Sequence, residues 1–212
     1  MIKLTKNVKE VFFTSDTHYS HKNMCRGVSQ WGTKDETGKF IVSVEATRDF
    51  ANLREMNDAL VDRINSKVSA DSILFHDGDW SFGGADKIKE FRDRIKCKNI
   101  ILIYGNHDTN IRKNFNNEQS LFKRVSDYEE ININGEHNIV MFHYPIESWN
   151  GMRHGSIMLQ GHQHLKGKDI FRPGKRMDIG ACGNDLNPYS LEEIVDIMKS
   201  RKFEEVPGDH HK

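Results

Sequence analysis

The chain has 212 residues, long enough for one domain with a sizeable core. Thirty-one basic residues balance thirty-one acidic ones, so no global field recruits long nucleic acid or an anionic membrane. Mean hydropathy is −0.69 with no long apolar stretch, which excludes a membrane span, and the three cysteines form neither a disulfide framework nor a CxxC zinc knuckle.

No apolar leader precedes residue 11, so a cytoplasmic location is expected. Val11-Phe12-Phe13 is short, β-branched and aromatic, reads as a buried strand, and runs into Asp16-Thr17-His18. Residues 22–46 lack a period and hold Gly27, Trp31-Gly32 and Gly38, which predicts an irregular loop suited to a lid. From Asp49 to Val68, apolar residues at Phe50, Leu53, Met56, Leu60, Val61 and Ile64 predict a helix facing the core. Ile73-Leu74-Phe75 is a second strand and leads into His76-Asp77-Gly78-Asp79. Ala85 to Ile95 reads as a helix through Ile88, Phe91 and Ile95. Ile100 to Tyr104 is a third strand, ending in Gly105-Asn106-His107-Asp108, and the Asn-rich stretch 109–120 is a second candidate lid. Ile139 to Phe142 ends at His143, and Ile157-Met158-Leu159 leads into Gly161-His162-Gln163-His164. Ser190-Leu191-Glu192-Glu193 is a capping box for a last helix to about residue 200. The polar tail from Pro207 to Lys212 is expected to fray. Strands alternating with helices predict an α/β fold, with residues 1–212 as a single domain.

Functional groups of open α/β sheets gather beyond the carboxyl ends of the strands, and each of these five runs ends there in a metal-ligating residue. Asp16, His18, Asp79, Asn106, His143, His162 and His164 offer oxygen and imidazole donors without thiolate. Seven donors exceed one tetrahedral ion and suit two divalent ions, with Asp79 as the bridge. Mn2+ is favoured, with Fe, Zn or Ni as alternatives. Such a pair clamps an in-line displacement at phosphorus and lowers the pKa of a bound water to about 7, supplying hydroxide as nucleophile. Two carboxylates leave such a site a surplus of about two positive charges, which fits an anionic phosphoester. His107 is the candidate proton donor to the leaving group, with Asp108 orienting its imidazole or holding it protonated.

In order and spacing these residues resemble the calcineurin-like metallophosphoesterase family, whose pattern is D-x-H, G-D, G-N-H-[DE], a lone H and G-H-x-H. The match spans about residues 11–185. It is similar to a small bacterial and phage branch, seen in Ser15-Asp16-Thr17-His18-Tyr19-Ser20-His21 and in Arg48-Asp49-Phe50. The resemblance implies a four-layer α/β/β/α sandwich. It also implies a first metal on Asp16, His18 and His164, a second on Asn106, His143 and His162, and Asp79 between them. Trp80-Ser81-Phe82 follows the G-D motif where protein phosphatases and diadenosine polyphosphatases continue with Arg-Gly, which argues against those substrates.

His21, Arg26, Arg48 and His154 are candidate substrate contacts, with Arg153 as a further phosphate clamp. His76 reads as a histidine that supports a ligand from behind or is buried and hydrogen-bonded, rather than as a ligand, and Asp77 as a solvent-facing or turn carboxylate. The expected activity is a phosphodiesterase on small or cyclic nucleotide-like substrates. A phosphomonoesterase or nuclease on the same scaffold is the alternative, and an inactive partner-binding protein is the alternative from another class.

Overall fold

The five apolar runs are all strands, and they divide between two sheets. The computed structural model describes residues 1–202 except Phe115, and only the backbone of Val8. The first strands are β1 (Ile2–Leu4), β2 (Val11–Thr14), β3 (Gly32–Lys34), β4 (Phe40–Val42), β5 (Ile73–His76) and β6 (Asn99–Ile103). They are followed by β7 (Arg124–Ser126), β8 (Glu129–Ile133), β9 (His137–Met141), β10 (Ile157–Gln160), β11 (Phe171–Arg172), β12 (Arg176–Asp178) and β13 (Tyr189–Ser190). The α-helices are α1 (Leu53–Lys67), α2 (Ala85–Arg94), α3 (Thr109–Lys113) and α4 (Leu191–Lys199). One sheet has the order β13-β2-β5-β6-β7 and the other β1-β8-β9-β10-β12-β11. Within the first, β2, β5 and β6 are parallel neighbours; within the second, β9 and β10 are.

The two sheets share one core. Phe13, Phe75 and Ile101 from the first meet Ile139, Met141 and Leu159 from the second in a single buried cluster, and α4 adds Leu191, Ile194 and Met198. On the far face of the first sheet, Phe12, Leu74 and Leu102 pack against Val61 and Ile64 of α1 and Ile88 and Phe91 of α2. These strands are therefore buried on both faces, which is why their sequences run apolar without alternation. No helix among the described residues is long and apolar enough to cross a membrane.

Several boundaries differ from the sequence reading for local reasons. The first long helix begins at Leu53 rather than Asp49, because the Asn52 side chain accepts from Glu55 N at 3.0 Å and caps it there. The expected capping box is present at Ser190 and Glu193. Residues 22–46 are not wholly irregular: β3 and β4 pair as a hairpin, and Asp35 Oδ1 accepts from Thr37 N and Lys39 N in its turn. Residues 109–120 likewise contain α3 and a short 3-10 turn. The tail from Pro207 lies outside the described residues.

Candidate metal centre

The loops after β2 and β5 continue side by side beyond the sheet. Asp16 N donates to Gly78 O at 2.9 Å, His18 N to Asp79 O at 3.0 Å and Tyr19 N to Trp80 O at 3.2 Å. This holds the Asp16 and Asp79 turns at one edge. The turn after β6 lies against them so closely that a Cβ on Gly105 would fall 2.2 Å from Asp79 Oδ1, and one on Gly78 2.3 Å from Gly105 N. Only glycine permits that approach. The backbone at this edge is strained. Asp16, His18, Asp79, His162 and His164 all have positive φ, between 46° and 71°. For non-glycine residues such strain is a pointer to function.

The donor atoms fall into two sets that share one oxygen. Asp79 Oδ2 lies 3.5 Å from His18 Nε2 and 3.6 Å from His143 Nε2. Around the first imidazole, His164 Nε2 is 3.1 Å from His18 Nε2, and Asp16 Oδ1 is 3.7 Å from His18 Nε2 and 3.6 Å from His164 Nε2. Around the second, Asn106 Oδ1 is 3.1 Å from His143 Nε2 and 2.9 Å from His162 Nδ1. Asp16, His18 and His164, and separately Asp16, Asp79 and His143, converge closely enough to hold an ion.

One of these donor atoms is left without a partner. Asp16 Oδ1 is buried with no hydrogen bond, although Oδ2 accepts from Ser15 Oγ and His162 N. His143 donates from Nδ1 to Asp77 O at 2.6 Å, which leaves the Nε2 lone pair facing Asp79. Burial lowers the His18 pKa to about 3, so its imidazole is neutral and no proton has to be displaced before it binds a cation. His162 is lowered as well, again by burial first. Burial acts to raise the Asp16 carboxyl, but its bond to His18 and the nearby imidazoles outweigh this and hold it below the usual range. Burial raises Asp79. A cation between the two sets would satisfy each of these groups, so the residues fit a pair of divalent ions.

His107 stands at the exposed rim, its ring 5.5 Å from that of His18 and 4.7 Å from Phe82, while its backbone N–H donates to Asp79 Oδ1 at 2.8 Å. Asp108 does not orient that imidazole, contrary to the sequence expectation. Its carboxylate turns back to accept from Asp79 N, Gly105 N and Trp80 N at 2.8–2.9 Å, locking two turns together. Arg48 is not placed as a phosphate clamp. It is buried, donates to Asp16 O at 2.7 Å and Thr17 O at 2.6 Å, and reaches Cys182 Sγ at 3.4 Å. Arg26 is engaged by Asp49 at 2.8 Å and by Val44 O. His154 and Arg153 precede β10, at the opposite end of the strand from His162. Asp77 is fully buried instead of solvent-facing, with neither carboxylate oxygen hydrogen-bonded, and burial raises its pKa well above the carboxylate range. His76 is buried with Nε2 2.9 Å from Thr17 Oγ1, as the sequence suggested.

His21 is near the cluster, its ring stacked on Phe82 at 3.7 Å and 5.4 Å from His18. Three residues close to the site were not singled out from sequence. Phe82 touches the rings of His18, His21 and His107. Tyr144 stands 4.8 Å from the His162 ring, and Cys182 Sγ lies 3.8 Å from His164 Nδ1. Tyr144 follows a candidate ligand directly, which is a usable signal. Cys182 had none.

The model of the calcineurin-like phosphoesterase family matches residues 10–185. Among solved structures, a protein of unknown function from Aquifex aeolicus is similar at 20% identity and a TM-score of 0.61, covering 88% of this chain and 98% of that one. That likeness concerns the fold. No curated protein matches the chain. The family match takes in all five strand-end motifs and the convergent donors just described, and the chain belongs to the calcineurin-like phosphoesterase family of metal-dependent phosphoester hydrolases.

Proposed function

We propose that this chain is a dinuclear phosphodiesterase acting on small, nucleotide-like esters. The observation that carries the reading is Asp79 Oδ2, placed almost equally from His18 Nε2 and His143 Nε2 with the remaining donors divided between them. Asp16, His18 and His164 would hold one ion, Asn106, His143 and His162 the other, and Asp79 both. Oxygen and imidazole donors favour Mn2+. When bound, such a pair supplies Lewis acidity and a water acidic enough to act as nucleophile at neutral pH.

The protein groups divide the remaining work. Asp16, His18, Asp79 and His143 are buried and anchor the floor, whereas Asn106, His107 and His162 are exposed where an ester must enter. His107 holds a proton on the solvent side and passes it to the departing oxygen. Its backbone bond to Asp79 fixes its distance from the floor. A diester is favoured over a monoester on charge. Two of the candidate phosphate clamps, Arg26 and Arg48, are engaged by Asp49 and by backbone carbonyls, so neither is set to neutralise a second phosphate charge.

The test compares kcat/KM for bis(p-nitrophenyl) phosphate and p-nitrophenyl phosphate with Mn2+ added to chelated protein. Preference for the bis-ester supports the proposal. A tenfold preference for the monoester would contradict its diester part, and hydrolysis of neither would contradict the whole.

A further inference from the structure

Phe82 and Gly83 line two neighbouring clefts, one with Lys and Arg in its lining and one without. On one side a cleft of about 620 Å3 is lined by Lys22, Arg54, Lys87 and Arg94 together with Asp58 and Glu90, which pair with the last three. On the other a cleft of about 360 Å3 is lined by Ser81, His107, Thr109, Asn110 and their neighbours, with no Lys or Arg among its lining residues. The second cleft is continuous with the metal centre, because Asn106 and His107 belong to both. Its Phe82 wall is fixed by the His21 ring, stacked at 3.7 Å and 10°. The Ser81 hydroxyl beside it is buried without a hydrogen-bond partner.

We propose that this cation-free cleft receives the leaving alcohol of the diester, and that the alcohol is an uncharged, ring-bearing, hydroxylated group of the nucleoside class. The inference rests on the phosphodiesterase reading above and on His107 as proton donor. An oxygen that takes the His107 proton begins beside that ring, so the rest of the departing group extends into the cleft His107 lines. Water adds to phosphorus, the P–O bond to that alcohol breaks, and the His107 proton ends on the departing oxygen. The proton released by water returns to His107 or to solvent. A further phosphate in this cleft would lose its hydration with no Lys or Arg of the lining to meet it. A flat neutral ring gains by packing on Phe82, and Thr109 and Asn110 offer hydroxyl and amide partners to a sugar. The cleft volume is in the range of small-ligand sites, roughly 300–1,000 Å3.

The test uses two diesters with the same phosphoryl half and the full-length Mn2+-loaded protein. Dithymidine monophosphate releases thymidine; the methyl ester of thymidine 5′-phosphate releases methanol. The wild type is expected to favour the dinucleoside at least tenfold in kcat/KM, mostly through KM, and free thymidine is expected to inhibit competitively. Phe82→Ala should bring the ratio to within threefold. Asn110→Glu, on the exposed face of α3, should lower the same ratio without depending on the survival of the Phe82 wall. Equal kcat/KM on the two diesters, or a ratio that neither variant moves, would overturn the cleft assignment while leaving a working phosphodiesterase. Hydrolysis of neither diester would remove the phosphodiesterase reading and this inference with it.

Discussion

The two ends of the parallel strands solve the same geometric problem in opposite ways. At the amino end of β10 the chain turns through left-handed backbone at Gly151 (φ 71°) and Gly155 (φ 85°), on either side of His154. At the carboxyl end it makes comparable turns at Asp16, His18, Asp79, His162 and His164. Glycine adopts such angles freely, whereas other residues are strained by about 1–3 kcal/mol each. At Gly151 and Gly155 the turn needs only shape, and glycine is used. Where the turn must also present a donor, the side chain is kept and the strain is accepted. Both ends have histidines, but only one end is built so that its imidazoles face a shared carboxylate.

Substitutions can break this contrast, and the largest effect falls on His107. His107→Ala should keep its metals and lose kcat by roughly 10²–10⁴, the range for removal of a general acid. The loss should shrink on nitrophenyl esters, whose leaving groups need little protonation; a uniform loss would argue against the assignment. Next comes Arg48→Lys. Its guanidinium holds the carbonyls of Asp16 and Thr17 with two separate nitrogens, which one ammonium cannot reproduce. Metal affinity, read by Mn2+ titration, should fall by about 10–100-fold.

A smaller effect concerns pH. Burial lowers His76 from 6.5 to about 3, so below pH 6.5 the unfolded chain takes up a proton that the folded chain refuses. Its contribution to stability is complete above pH 6.5 and is lost as the pH falls toward 3, by on the order of 1.4 kcal/mol per pH unit. Asp178, raised to about 7 by burial, acts in the reverse sense: its contribution is complete below 3.8 and is lost as the pH rises to 7. The comparison must therefore be a difference. The urea midpoint of the chelated wild type minus that of chelated His76→Phe should rise between pH 5 and pH 7. A constant difference would remove His76 from the account.

His162→Gly sharpens the contrast most directly. It should weaken metal binding yet stabilise the chelated protein by about 1 kcal/mol, because the turn at φ 71° is no longer strained. A destabilised variant would mean that the turn is not where strain is held. His154→Ala, at the other end, should alter neither metal binding nor hydrolysis.

What could be read from sequence follows the same division. The five strands were legible because burial on both faces leaves continuous apolar runs, and their ligands because each immediately follows one. The β3–β4 hairpin was not, since its strands are short and mostly exposed and so carry no apolar pattern. Proximity in sequence misled twice. Asp108 adjoins His107, but its carboxylate serves three backbone N–H groups. His154 is close to His162 in number, but a four-residue strand carries the chain about 13 Å between them. Conversely, Arg48 and Cys182 meet across 134 positions, a contact that no local pattern announces.

The central claim is that two ions share Asp79, and metal counting tests it most directly. Chelated wild type and Asp79→Asn are reloaded with Mn2+, desalted, and assayed for metal content and bis(p-nitrophenyl) phosphate hydrolysis in the same samples. The wild type should plateau at two ions per chain, with hydrolysis appearing alongside them, and Asp79→Asn should weaken both ions together. A wild-type plateau at one ion, loss of a single ion in the variant, or hydrolysis that survives chelation would contradict it.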